Sequence, residues 1–485
     1  MKRRFNPKKS LGRPLAALAA TGGAALGPWL APSVWGGRQR PGEPPLLRGN
    51  IPLLGNALPF SHNATRFLAD CRREHGDVFT VYVARSRMTF VCDPLSYSTV
   101  LRCPALQFEP VADEVMERAF AFPNIRTEVD LDRLDGTARK YLKGEHLGEI
   151  SERMCGAVHE FVRDGGNGQL EGASGELPLY HFIWDAIFTA GTNIIFGHGM
   201  ACPAVAQAFQ DFDRDFPTLV AGMPKFLARD GVAGLDALAQ PLSELGEAPS
   251  KWLRERQKVI LDLDAKRRGH AHSAALWAVH ANTIPAVFWT LAHLLNDPAA
   301  TAAVCDELGV GRTAADAPVT VDELGTMSVL QSAAQESLRI TTGSMAVRRA
   351  TEDTTIETRS GTFAVRAGDQ VCMAPQLTHH DPTVFEDPEA YRYDRFLDRG
   401  EGLPQFHKEG ERAGFAFMPF GAGKHTCPGR FFAINEVKIM TATLLRQFAF
   451  EPIDGPLPPF DYRRVGLGVF PPNDELVVRW RRRDA

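Results

Sequence analysis

One cysteine stands where a thiolate would have work to do. The stretch Phe417–Ala433, Phe-Met-Pro-Phe-Gly-Ala-Gly-Lys-His-Thr-Cys-Pro-Gly-Arg-Phe-Phe-Ala, puts Cys427 at the end of a glycine-punctuated loop. The apolar run from Phe431 to Met440 that follows reads as a helix. A sulfur at that position faces a helix N-terminus, where backbone N–H groups and the helix dipole favour the anion and tune any metal it binds. Gly421, Gly423 and Gly429 let the chain turn sharply and lie close to something flat. Gly423-Lys424 gives only a weak phosphate-loop match, because Met418 occupies the place of its first glycine and His425 that of its Ser or Thr. A buried structural thiol is the plainer alternative for a cysteine considered alone.

A second set of residues lies in Ala274–Leu295, a long apolar helical pattern interrupted by Pro285. Proline supplies no N–H to the carbonyl four residues earlier, that of Ala281, and its ring pushes that carbonyl aside. The helix is expected to kink there. The freed Ala281 carbonyl, with Asn282 and the Thr283 hydroxyl beside it, would form a polar notch able to hold one or two waters. Water held by a hydroxyl can pass protons into an otherwise dry site. Further on, Glu336 and Arg339 are three residues apart and so share a helical face; by themselves they would make an ordinary surface pair.

Phe420, Gly423, Cys427 and Gly429 resemble the haem-thiolate signature of the cytochrome P-450 family, Phe-x-x-Gly-x-Arg-x-Cys-x-Gly, with His425 where the family usually has arginine. The resemblance implies a mainly α fold with small β-sheets, the α+β cytochrome P-450 fold. It also implies haem b with Cys427 as the iron ligand and Phe420 and Gly421 beside the cofactor. Arg348, His425 and Lys140 are the cations it directs to the haem propionates, with Arg348 preferred over Arg349. For Lys140, a solvated helix face is an equal alternative. Glu336 and Arg339 are similar to the family's Glu-x-x-Arg, and Arg395, in Tyr393-Asp-Arg-Phe, would complete a buried structural triad with them. Leu276-Trp277-Ala278, Ala281-Asn282-Thr283-Ile284-Pro285-Ala286 and Phe288-Trp289 resemble the same helix in the sterol 7α-hydroxylase branch. Most of the family has an acid where Asn282 stands. Prostacyclin synthase, an isomerase of that branch, shares the asparagine and lacks the threonine, so Thr283 favours a monooxygenase. The resemblance covers most of residues 42 to 478, densely in the second half and loosely between 110 and 260.

The elements that must position these groups read as one large unit. The chain has 485 residues, 44% of them hydrophobic, and no serine-rich or charged linker divides it after the first fifty. A formal net charge of -4 leaves no global basic footprint for nucleic acid. Eight cysteines without CxxC spacing argue for reduced thiols and against a zinc site. Residues 1 to 13 are basic and residues 14 to 37 uncharged, so residues 1–45 read as a candidate membrane anchor with a stiff proline-rich hinge and residues 46–485 as the haem-thiolate catalytic domain. Ala64 to His75 is helical in pattern, and Val78–Val83 and Met88–Cys92 alternate like two strands. Phe120, Phe122, Phe209, Phe212 and Phe216 could line a cavity, though such a stripe is more often plain core.

The expectation is therefore a haem-thiolate monooxygenase that hydroxylates a sterol or related lipid. It would use O2 and NADPH electrons delivered by a separate reductase, either a flavoprotein or a ferredoxin system. It would be membrane-associated and face a reducing, cytoplasmic compartment, with a soluble cytoplasmic protein as the other option. Two rivals remain: a lipid peroxide isomerase of the prostacyclin synthase type, and a haem or lipid carrier without turnover.

Overall fold

The computed structural model describes residues 38–51, 54–84, 86–246, 248–400 and 402–483. The candidate anchor in residues 14 to 37 lies outside them. No helix of the described residues is long and apolar enough to cross a membrane.

Four helices form the centre: Leu179–Phe196, Thr283–Asn296, Ser328–Thr341 and Arg430–Gln447. The Thr283–Asn296 helix packs on the other three. Every residue from Thr283 to Leu295 is buried, as is every residue from Glu436 to Gln447. The Thr283–Asn296 helix is apolar nearly all round and cannot face water, so it becomes the middle of the molecule; the Arg430–Gln447 helix is buried despite Glu436, Lys438 and Arg446. The cysteine loop therefore leads into a helix that is buried from Glu436 onward. The phenylalanines at 120, 122, 209, 212 and 216 are all at most 3% exposed. Phe216 stacks on Trp277 with ring centres 4.0 Å apart, and Phe120 meets Phe212 at 5.4 Å, so they serve as core.

A six-stranded sheet flanks this bundle. Its order is Leu46–Leu47, Val78–Val83, Ser86–Val91, Gln370–Met373, Ala346–Ala350 and Leu106–Gln107. The Val78 and Ser86 strands form an antiparallel hairpin in which Val78 opposes Val91 and Val83 opposes Ser86. The Ala346–Ala350 strand starts five residues after the Ser328–Thr341 helix ends, which couples the Glu336–Arg339 face to the strand that carries Arg348. A smaller sheet of Phe448–Phe450, Val477–Arg482 and Ser174–Pro178 closes the far end. The proline-rich hinge does not run free. Leu46 and Leu47 add to the sheet beside Thr80 and Val81, and the Gly42 carbonyl accepts the Ala364 N–H at 2.8 Å.

Candidate active site

The cysteine loop is shaped by two left-handed glycines. Gly421 has φ 69° and Gly423 φ 70°, conformations that other residues adopt only with strain. Gly429 is different, at φ −84°. A Cβ there would lie in ordinary contact, 3.9 Å from the Cys427 sulfur. The loop closes on itself when the Cys427 N–H donates to the Phe420 carbonyl at 2.9 Å. Gly429 caps the Arg430–Gln447 helix, and the N–H groups of Gly429 and Arg430 point at the sulfur. Burial pushes the free Cys427 thiol up; those two N–H groups and the Arg430 charge oppose it.

Period-two alternation separates two adjacent arginines. Arg348 faces inward and is 6% exposed. Its guanidinium donates to the Val347 carbonyl at 2.9 Å and lies over the Phe108 ring. No carboxylate of the described residues lies within ion-pair distance of it. Arg349 points the other way and pairs with Glu114 at 2.7 Å. His425 packs on Phe108 with ring centres 4.7 Å apart, and its Nε2 is 3.6 Å from the Glu109 carboxylate. Burial pushes the His425 imidazole down, opposed by Glu109 and reinforced by the charges of Arg348, Lys424 and Arg139. Arg348 and His425 are thus neighbours. Lys140 is not with them: it is exposed and lies over the Tyr141 ring at 5.0 Å.

Glu336, Arg339 and Arg395 do meet. Arg339 grips Glu336 with two bonds of 2.8 and 2.9 Å, and the Arg395 Nε donates to both carboxylate oxygens at 3.0 Å. Arg339 and Arg395 also hold backbone carbonyls of His379, Glu386 and Asp387. One buried carboxylate therefore pins the loop that precedes the cysteine stretch. The Met418 N–H in turn donates to His379 Nε2 at 3.2 Å.

The long apolar pattern proves to be two helices, Ala265–His280 and Thr283–Asn296, broken at Ala281 and Asn282. The carbonyl expected to be free is that of Ala281, and it is not left for water. Arg464 donates to it at 3.3 Å while pairing with Asp213 at 2.7 Å. Asn282 is also engaged, its side-chain oxygen accepting the Val469 N–H at 3.0 Å. These are corrections to the water-holding notch. The groups that fill it come from a segment some 180 residues further on, which local spacing cannot reveal. Of the three notch groups, only the Thr283 hydroxyl turns elsewhere, to the carboxyl of Glu436. Glu436 was missed by the sequence reading. The available signal was an acid inside the apolar run of the helix that follows the cysteine.

The donor set fits a haem. A thiol is backed by two helix-terminal N–H groups, glycine turns stand beside it, and a buried guanidinium without a carboxylate partner lies nearby, as a propionate would require. This defines the class: a haem-thiolate protein on a helical scaffold with a flanking sheet. The chain belongs to the cytochrome P450 family. The family model described as Cytochrome P450 matches residues 261–478. The chain is 31% identical to Cytochrome P450 7A1 of Rattus norvegicus over 476 residues, 92% of this chain and 94% of the relative. It is 30% identical to cholesterol 7-alpha-monooxygenase of Cricetulus griseus over the same shares. To the 7-alpha-hydroxycholest-4-en-3-one 12-alpha-hydroxylase of Homo sapiens it is 31% identical, again over 92% and 94%. The chain is accordingly an oxidoreductase of the P450 monooxygenase type.

Proposed function

We propose that this protein hydroxylates a C–H bond of a sterol or related lipid, consuming O2 and NADPH electrons passed to it by a separate reductase. The observation that carries the oxygen-activating part is Thr283. This residue is 5% exposed where the central helix restarts, and its hydroxyl meets the Glu436 carboxyl. The names of the relatives above support a sterol as the substrate class. Haem b is the cofactor of this reading, and when bound it supplies oxygen activation. Cys427 would hold its iron as thiolate, with the N–H groups of Gly429 and Arg430 steadying the sulfur. Arg348 and His425 would orient the propionates, and Phe420 and Gly421 would lie against the ring edge. Thr283 would hold a proton donor at the reacting oxygen while the apolar walls exclude bulk water. Residues 46–485 act as the catalytic unit, with residues 1–45 holding it at a membrane surface that faces a reducing compartment.

The test uses the haem-loaded protein with a P450 reductase. Sterols should shift its absorption spectrum, and one of them should be hydroxylated only when NADPH is present. The reduced carbon monoxide complex should show the thiolate-type band, and Cys427→Ser should abolish it. A protein that stays colourless, or whose iron is held by imidazole alone, refutes the proposal. Turnover of a lipid hydroperoxide without reductant would replace it with an isomerase.

A further inference from the structure

A second cleft lies away from the cysteine. Its volume is about 730 Å³, inside the range of small-molecule sites, and none of Cys427, Arg348, His425 and Thr283 lines it. One wall belongs to the Ala57–His75 helix beyond its break at Asn63. Thr65, Arg66, Ala69, Arg72 and Arg73 face the cleft from there, at the three-, four- and seven-residue spacings of one helical side. The other wall is Gln376, Leu377 and the turn His380-Asp381-Pro382. Phe460 and Tyr462 close the inner end, where the Phe460 ring packs edge-on against Trp289 of the central helix at 5.0 Å.

Polar bonds tie the walls to one another. The Thr65 hydroxyl donates to Gln376 Oε1, Arg72 pairs with Asp381 at 3.0 Å, and the Tyr462 hydroxyl meets the Asn63 side chain. Each of these joins the helix to the opposite side, so the cleft is formed before a ligand arrives. Most of its charges are already matched. Arg72 also takes Asp77 at 2.6 Å, Arg73 pairs with Asp70 at 2.7 Å, and His380 meets Glu389 at 2.8 Å. Arg66 is the exception. Its backbone N–H donates to Asn63 Oδ1 at 2.9 Å, but among the described residues no carboxylate lies within ion-pair distance of its guanidinium. With Arg66, Arg72 and Arg73 set against Asp77, Asp381 and Glu389 in the lining, there is no field here to hold a polyanion. One open guanidinium matches one negative group.

We propose that this cleft is a second ligand site, separate from the haem site, for an amphipathic monoanion: a single carboxylate or sulfate ester on a compact apolar body. The anionic group sits on Arg66 at the rim. The body lies against Ala69, Leu377, Pro382 and Phe460, the apolar part of the lining. Both parts are needed. A surface guanidinium alone holds a small anion weakly, because water and salt screen the pair, and the apolar contact supplies the remaining affinity.

The test is photolabelling of the haem-loaded full chain with a steroid sulfate that carries a diazirine, followed by mass mapping of the labelled peptides. Label should appear within residues 63–77, 376–382 or 460–462. Arg66→Glu should cut it at least about tenfold, the loss of one charge-assisted bond, and Ala69→Trp, which fills the cleft, should abolish it. Both side chains are exposed, so both variants should keep the thiolate carbon monoxide spectrum; should either fail to load haem, Arg66→Gln decides. The same steroid without its sulfate should label these peptides at least about tenfold less, and inorganic sulfate at the probe's concentration should not compete. Label confined to other peptides, or cleft label unchanged by the variants, overturns the site. Equal labelling by the unsulfated steroid, or full competition by inorganic sulfate, overturns the amphipathic monoanion as its ligand. No measurement here requires turnover, so the outcome stands apart from whether the protein hydroxylates a sterol.

Discussion

At the scale of single residues, environment separates groups that sequence makes look alike. Arg348 and Arg349 are adjacent, yet only Arg348 is buried without a carboxylate, because alternation along the strand turns it inward and sends Arg349 to Glu114. A charge-assisted bond of this kind is worth about 1.5–3 kcal/mol. Arg348→Ala should therefore raise the rate of haem loss to a scavenging apoprotein at least about tenfold, whereas Arg349→Ala should leave it near wild type. Equal effects from both variants would remove Arg348 from the propionate role. Glu336 is a different case. It is fully buried and neutralises two arginines, so Glu336→Ala leaves both guanidiniums uncompensated, at a cost of about 3–5 kcal/mol. Denaturant unfolding of that variant should show the loss directly, with poor haem incorporation as its companion.

At the scale of elements, the break in the central helix depends on a contact from far along the chain. Gly468 has φ 126°, and a Cβ on it would lie 2.0 Å from the Asn282 side-chain oxygen. Gly468→Ala must strain the backbone by about 1–3 kcal/mol and push Asn282 aside. The expected outcome is a lower melting temperature together with NADPH consumption that no longer matches product, because Thr283 is the next residue. Normal coupling at a lowered melting temperature would mean that the break tolerates displacement of Asn282. The same contact explains what the sequence could and could not disclose. The cysteine loop, the helix after it and the Glu336–Arg339 pair are set by spacing within a few residues, and they were legible. Pro285 correctly marked Ala281 as the carbonyl at the disruption. Its occupant, Arg464, and the partner of Asn282, Val469, come from another segment, so a water-filled notch was the wrong expectation. Lys140 lies on an exposed, charged helix face, where periodicity alone does not say which cation turns inward. Arg395 was found only through resemblance, and Glu436 was overlooked because nothing local distinguishes it from the other polar residues of its helix.

At the scale of the whole molecule, Glu43 fastens the incoming chain to the catalytic unit. It is 7% exposed and lies among three arginine residues. Burial raises its carboxyl, but the hydrogen bond from Arg366, the backbone N–H of Arg40 and the charge of Arg87 outweigh that and bring it from 4.5 down to about 2. Arg40 also reaches Asp353 at 3.1 Å, and Leu46 and Leu47 join the sheet just beyond. The sign follows from linkage. A carboxylate whose folded value lies below its unfolded one contributes stability that is full above about 4.5 and is lost as pH falls toward 2. At about 1.4 kcal/mol per unit the contribution at neutral pH is on the order of 3 kcal/mol. Other carboxylates are also depressed, Asp381 and Glu323 among them, so the acid limb of the wild type alone cannot isolate Glu43. The difference between wild type and Glu43→Gln can. That difference should be constant from pH 8 to 5 and shrink steadily between about 4.5 and 2, measured by urea unfolding and by protease cleavage between residues 38 and 50. A difference that does not change with pH would mean that Glu43 acts by shape rather than by charge.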